Sequence, residues 1–248
     1  MAHPQRNIPA RDISARHVVV REIDRADRDV IAGLGRAGVA TAHEAAGRTG
    51  LVGPRIRAIQ NGARIAGSAV TVSCHPGDNL MIHAAVEVIQ PGDILVVTTT
   101  SRSTDGMFGE LLATSLVAHG CVGLIIDAGV RDVAELREMG FPVWSAAVHA
   151  QGTVKASAGS VNVTVSCAEQ IVAPGDVVIA DDDGVCVVDR RVAADVLRAC
   201  EARIDREETF RAALRAGTLG VDYSNLRPIL ERLGVRYVQR AADPNDSA

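Results

Sequence analysis

Between residues 78 and 148, apolar strands alternate with short helices, and no other feature of this chain restricts its fold as much. Asp78 is placed to open a helix running through Val88, and "GDILVVTTT" reads as the strand after it. Residues 109–119 read as a helix stopped by Gly120, "CVGLIID" as a strand ending at Asp127, residues 133–139 as a helix stopped by Gly140, and "FPVWSAAV" as the next strand. Strands joined by helical crossovers imply parallel βαβ units. Ligands of such sheets sit beyond the carboxyl ends of the strands. Two loops leave those ends, "TSRSTDGMFGE" after Thr99 and "DAGVRD" after Asp127, and chemistry is expected there.

Upstream, "VVVREI" is expected as a short strand and residues 26–34 as a helix broken near Gly33 and Gly35. "TAHEAAG" is expected as a second helix opened by a Thr41–Glu44 capping box, and "ARIAGSAVTVSC" is β-rich. Beyond Ala150 the pattern becomes all-β, with "VNVTVSC" and the Asp-Gly hairpin signal of "GDVVIADDDGVCVVD", and a long helix over 192–216 follows. The expected organisation is a flexible arm at 1–16, a core at 17–190, a C-terminal helical extension at 191–240 and a flexible tail at 241–248.

A chain of 248 residues with 47% hydrophobic content can bury a full core. Twenty-six Lys and Arg against 30 Asp and Glu leave a net charge of −4, and aromatics at 2% do not interleave with any basic stripe, so nucleic acid is not an expected partner. The five cysteines are scattered, odd in number and without CxxC spacing, which suits buried thiols in a reducing cytoplasm. Neither a signal-peptide core nor a membrane-length apolar run occurs, so a soluble cytoplasmic protein with no membrane partner is expected.

Arg131 and Asp132 stand side by side where a helix begins. Asp132 with Glu135 fits an Asp-capped helix start. A capping carboxylate keeps a second oxygen free for a metal, and Arg131 is a fork suited to a substrate carboxylate. Glu110 lies in the first turn of its helix, where a negative charge also complements the helix dipole. The amides after Gly109, of Leu111 and Leu112, make a candidate anion cradle. Asp181, Asp182 and Asp183 crowd a hairpin tip, where turn chemistry accounts for them. No HExxH, dinucleotide, P-loop or serine-hydrolase motif is present. A hard divalent cation, held by few carboxylates and completed by water and substrate oxygens, is the remaining fit.

These residues carry a resemblance. "GVATAHEAAGRTGL", "HPGDNLMIHAAVEVIQPGDILVV", "DGMFGELLATSLVAHG", "IIDAGVRDVAELREMGFPVW" and "GDVVIADDDGVCVV" are similar to the class II pyruvate aldolases that cleave 4-hydroxy-4-methyl-2-oxoglutarate and 4-carboxy-4-hydroxy-2-oxoadipate, enzymes of protocatechuate and gallate breakdown. The resemblance implies an α/β fold, the β/β/α swivelling domain of the regulator of ribonuclease activity A, assembled as a trimer or hexamer. It implies that Asp132 binds Mg²⁺ or Mn²⁺, that Arg131 contacts the pyruvyl oxygen, and that Gly109, Leu111 and Leu112 bind the substrate carboxylate. Glu110 then stands where many relatives carry Asp, and Glu207, with Glu208 beside it, matches a glutamate that reaches a neighbouring subunit's site. The single lysine, Lys155, lies outside both loops, against a Schiff-base aldolase. The reaction implied yields pyruvate and oxaloacetate, or two pyruvates from the methyl substrate. The competing readings are an enzyme whose main task is oxaloacetate decarboxylation, and a non-catalytic binding protein like the ribonuclease regulator.

Overall fold

The computed structural model describes residues 17–238. The expected arm at 1–16, the last two residues of the expected extension and the tail lie outside them. The described residues divide into two compact units, with the boundary between Glu201 and Ala202.

In the first unit, helices α1 (Arg28–Ala37) and α2 (Val39–Ala45) precede strands β1 (Arg57–Ala58) and β2 (Ile65–Cys74). The alternating segment follows: α3 (Leu80–Ala85), β3 (Asp93–Thr99), β4 (Gly106–Phe108), α4 (Glu110–Ala118), β5 (Gly123–Val130), α5 (Val133–Glu138) and β6 (Val143–Val148). Then come β7 (Ser160–Val161), β8 (Val165–Cys167), β9 (Gln170–Val172), β10 (Val177–Asp181), β11 (Gly184–Val188) and the long α6 (Ala193–Arg215).

Nine strands form one mixed sheet in the order β1-β6-β5-β3-β2-β10-β11, with β4 added beside β5 and β7 beside β2. The β2-β3, β3-β5 and β5-β6 pairings are parallel, as helical crossovers require. The middle strands are buried on both faces, which explains their unbroken apolar runs. On one face, α3, α4 and α5 supply Ile82, Leu116 and Leu136 to a core with Val97 and Ile126. On the other, Trp144 and Ile125 pack with Val165 and Cys167 of β8, and the indole N–H donates to the carbonyl of Asp181 at 2.9 Å. A third cluster joins Leu34 and Val39 to β10, β11 and the start of α6 through Val196 and Cys200.

The structure departs from the sequence expectations at several places in this unit. "VVVREI" is not a regular strand: Val19 makes one bridge to Val161, and the chain then runs on irregularly to α1. Helix α1 continues through Gly33 and Gly35 rather than breaking, because these glycines admit close neighbours. A Cβ at Gly33 would stand 2.7 Å from Leu197, and one at Gly35 2.9 Å from Ala66. Helix α2 begins at Val39, before the expected Thr41–Glu44 box, since its first amide bonds the Oδ2 of Asp181, 142 residues away, at 2.9 Å. Finally, β5 runs three residues past Asp127, to Val130.

In the second unit, the remainder of α6 is followed by α7 (Gly220–Tyr223) and α8 (Arg227–Arg232). Phe210 stacks on Tyr223 with ring centroids 4.5 Å apart. No helix among the described residues is long and apolar enough to cross a membrane.

Candidate active site

The extra length of β5 builds the site. Strand β4 pairs with its end, Gly106 opposite Gly129 and Phe108 opposite Val130, and the amide of Arg131 donates to the Phe108 carbonyl at 2.9 Å. Two loops that are distant in sequence are thereby laid side by side, Gly109 against the Arg131–Asp132 pair. A Cβ on Gly109 would stand 2.2 Å from Asp132 Oδ2 and 3.2 Å from Arg131 Cγ, so any side chain there would push the Asp132 carboxylate from its place.

Asp132 occupies the N-cap position of α5, with φ 53° and ψ 41°, but its side chain does not cap that helix. The expectation of an Asp cap is corrected: Oδ2 instead accepts the amide of Glu110, the first residue of α4, at 3.1 Å. The left-handed backbone turns the side chain away from its own helix, a conformation Asp tolerates better than most residues. A carboxylate at the N-terminus of α4 also meets the positive end of that helix. Oδ1 accepts no hydrogen bond from the described residues. Arg131 Nε lies 3.7 Å from Asp132 Oδ2, too long for a good hydrogen bond, and both side chains stay about half exposed.

Helix α4 begins at Glu110 without a side-chain cap, because Gly109 has none to offer. With the Glu110 amide taken by Asp132, the amides of Leu111 and Leu112 have no carbonyl within the helix to bond, as for any first turn. Leu112 is buried, and Leu111 is 80% exposed at the rim. Glu110 Oε1 accepts from the Thr114 hydroxyl at 2.7 Å, one turn along the same helix.

A loop over residues 149–159 closes the neighbourhood. A Cβ on Gly152 would lie 3.4 Å from Arg131 Nη1, and the Gly106 amide donates to the Gln151 carbonyl at 2.8 Å. Asp78 ties this loop down: it accepts the amides of Leu80, Ala156 and Ser157 at 2.9, 2.7 and 2.6 Å. Burial pushes its carboxyl up, but those amides outweigh burial and hold it below the ordinary carboxylate value. Asp78 thus accepts the first amide of α3 from one position before its N-cap, Asn79, and ties down a distant loop as well, while the helix expected through Val88 is α-helical only to Ala85 and continues as a 3-10 turn over Val86–Val88. Nearby, Asn79 donates to the Met107 carbonyl at 3.0 Å, and His83 is held below its usual value by burial and by the charge of Lys155.

The structure therefore brings Gly109, Glu110, Leu111, Leu112, Arg131 and Asp132 together in the first unit. Glu207 belongs to the second, where Arg203 Nε lies 2.7 Å from its Oε1 one turn back on α6. It lines a groove of about 360 Å³ with Arg206, Thr209, Phe210 and Tyr223. Glu208 pairs with Arg211 and Arg215 instead.

Sequence reading missed Arg55. Its guanidinium grips Asp127 with two hydrogen bonds of 2.9 and 2.8 Å and reaches Glu169 at 2.9 Å. The only signal was an acidic residue closing an apolar strand, and nothing local connects it to an arginine 72 residues earlier. The aspartates at the hairpin tip bond backbone: Asp181 accepts the amides of Val39 and Asp183, and Asp182 accepts that of Gly62. The five cysteines are all buried, and burial pushes the thiols of Cys74 and Cys186 up to about 12 and that of Cys121 to about 11, so these three do not act as nucleophiles.

Comparison with known proteins agrees with this architecture. The model of the RraA-like family, described as Aldolase/RraA, matches residues 27–187, a span holding every member of the first-unit cluster. A Burkholderia multivorans protein provisionally named a 4-hydroxy-4-methyl-2-oxoglutarate aldolase is 36% identical over 149 residues, 59% of this chain and 90% of its own. One of the same provisional name from Halalkalibacterium halodurans is 25% identical over 166 residues, 67% of this chain and 79% of its own. Among solved structures, Streptomyces coelicolor RraAS2, described as an unusual member of the RNase ES inhibitor RraA protein family, superposes with a TM-score of 0.68 at 28% identity, covering 77% of this chain and 99% of its own. The architecture and the matched span lead to one conclusion: this chain belongs to the RraA-like family, which unites aldolases and RraA proteins.

Proposed function

We propose that this protein is a divalent-metal-dependent pyruvate aldolase, cleaving 4-carboxy-4-hydroxy-2-oxoadipate to pyruvate and oxaloacetate and 4-hydroxy-4-methyl-2-oxoglutarate to two pyruvates. The observation that carries the reading is the convergence at the end of β5: a guanidinium, a carboxylate with one oxygen uncommitted, and a helix N-terminus with open amides. The provisional names of the curated relatives support it.

The residues fit a hard cation of one kind. Among the described residues no three His, Cys, Asp or Glu side chains gather in a way that could hold a metal ion, so a cage closed by protein ligands has no basis here. Mg²⁺ or Mn²⁺ that keeps its waters asks for one or two carboxylates plus substrate oxygens, which Asp132 Oδ1 can begin to supply. When bound, such an ion supplies Lewis-acid polarisation of the 2-oxo group.

The chain's own groups do the rest. The amides of Leu111 and Leu112, at the positive end of α4, hold the C1 carboxylate of the 2-oxo acid. Arg131 directs its fork at the 2-oxo oxygen and stabilises the negative charge that grows there as the C3–C4 bond breaks. The C4 hydroxyl must lose a proton in the same step, and in this reading Glu110, in the first turn of α4, orders the water that receives it. Glu207 completes the site from a neighbouring copy in a trimer or hexamer, as in the family the sequence resembles.

Pyruvate release from both aldol substrates and from oxaloacetate, with and without added Mg²⁺ or Mn²⁺, tests the reading. Metal-stimulated cleavage of an aldol substrate supports it, and faster turnover of oxaloacetate makes decarboxylation the main task. The RNase ES inhibitor family of the Streptomyces neighbour supports a second reading, a non-catalytic regulator. Silence of all three substrates would favour that one.

A further inference from the structure

Strand β5 carries an irregularity just before the site. Ile126 pairs with Ser145 and Gly129 with Ala147, so Asp127 and Ala128 together oppose the single residue Ala146. One extra residue in one strand is a β-bulge, a device that re-aims the residues beyond it and recurs beside active sites. Beyond it, past the paired residues Gly129 and Val130, come Arg131 and Asp132.

A bulge leaves backbone without regular ladder partners, and here side chains hold it. Asp127 Oδ1 accepts Arg55 Nε at 2.9 Å, while Oδ2 accepts Arg55 Nη2 at 2.8 Å and the Ala168 amide at 2.9 Å. The carboxylate is only 16% exposed. Burial pushes it up, but Arg55 and the Ala168 amide outweigh burial and hold it below the ordinary carboxylate value. On the far side of the bulge, the chain entering β4 crosses over Gly129, where a Cβ would stand 2.1 Å from the Thr104 carbonyl oxygen. That same chain carries Gly106, Gly109 and the start of α4. The bulge is therefore fixed on one side by Arg55 and wedged on the other against the segment that holds Glu110.

From this geometry we propose that the Arg55–Asp127 clamp is a positioning element of the site. By fixing the bulge, it sets where Arg131 and Asp132 stand relative to the first turn of α4, including the 3.1 Å contact from the Glu110 amide to Asp132. Neither clamp residue need touch the substrate. The inference rests on reading Arg131 and Asp132 as the reactive pair, and its test has an arm that does not need activity.

The test uses full-length Asp127→Asn, Arg55→Ala and Arg55→Lys proteins. Hydrogen–deuterium exchange compares the segment around Glu110 and Arg131 with strand β2 in the fold interior, and steady-state kinetics separates kcat from KM. With the clamp removed, protection at Glu110 and Arg131 falls about tenfold or more while β2 keeps its own. Displacing the pair lowers kcat by about tenfold to a hundredfold with KM changed less, because misplacement by about 1 Å is costly in rate. Arg55→Lys, which keeps one charged contact, lies between Arg55→Ala and wild type. Unchanged protection at Glu110 and Arg131 in folded Asp127→Asn overturns the proposal, as does an equal loss across β2, which would make the clamp a general stabiliser. If the wild type releases no pyruvate from any substrate, the proposed reaction fails, and the exchange comparison still decides the clamp.

Discussion

Arg25 and Asp93 meet face to face, Nε on Oδ1 and Nη2 on Oδ2, each at 2.8 Å, with the Gln90 amide also on Oδ2 at 2.8 Å. Asp93 is 1% exposed, and every one of these donors serves the fold. Arg131 and Asp132 are neighbours in sequence, yet their charges approach no nearer than 3.7 Å. Here the backbone keeps the two charges from satisfying each other: Asp132 lies in the left-handed region and its Oδ2 is turned to the Glu110 amide. The first pair is an ion pair consumed by folding. In the second, the fold holds opposite charges close without a good hydrogen bond between them, and both side chains stay about half exposed.

The largest effect that could break this contrast comes from Asp132→Ala, which should lower pyruvate release by about 10²- to 10³-fold, on the order of 3–4 kcal/mol. EDTA should do the same to the wild type and Mg²⁺ reverse it; full activity after exhaustive chelation would remove the metal from the mechanism. Asp93→Ala comes next. It strands a guanidinium that is only 20% exposed, so urea unfolding should show a loss of about 3 kcal/mol while kcat of the folded fraction is kept. A loss below about 1 kcal/mol would mean that the buried pair is no more structural than the open one.

Arg131→Lys keeps the charge and removes the fork, so kcat/KM should fall about tenfold to a hundredfold with the urea midpoint unchanged. Near-wild-type kcat/KM would reassign the pair to structure. Glu207→Ala should reduce activity about tenfold or more, whereas Glu208→Ala should be mild, because adjacent helix positions point about 100° apart. Co-refolding Glu207→Ala with Asp132→Ala chains should restore activity if the glutamate works across subunits; no recovery in verified mixed oligomers would place it within its own chain's site or show that another residue serves.

The smallest effect concerns acid. Asp127 is held below its ordinary value in the folded state, so its stabilisation is fully present above the unfolded carboxylate value of about 4 and is lost as pH falls through the lower folded value. Urea midpoints of Asp127→Asn should therefore depend less on pH in that acid window than those of the wild type. Equal slopes would mean that other carboxylates, Asp78 among them, carry the acid sensitivity.

What the sequence determined by itself is what short-range patterns encode. The alternation of apolar runs with capped helices marks β3, α4, β5, α5 and β6, because side-chain period and turn chemistry are local properties. It also marks both loops and sets Arg131 and Asp132 at the start of a helix. Only the tertiary structure decided what those residues touch. The partner of Asp132 is an amide 22 residues earlier, the partner of Asp127 an arginine 72 residues earlier, and α2 starts where Asp181 lies 142 residues ahead. A carboxylate at a helix start reads the same whether it caps its own helix or a neighbour's. The difference lies in a left-handed backbone at Asp132 and a register shift in β5, and neither is written in the residues on either side.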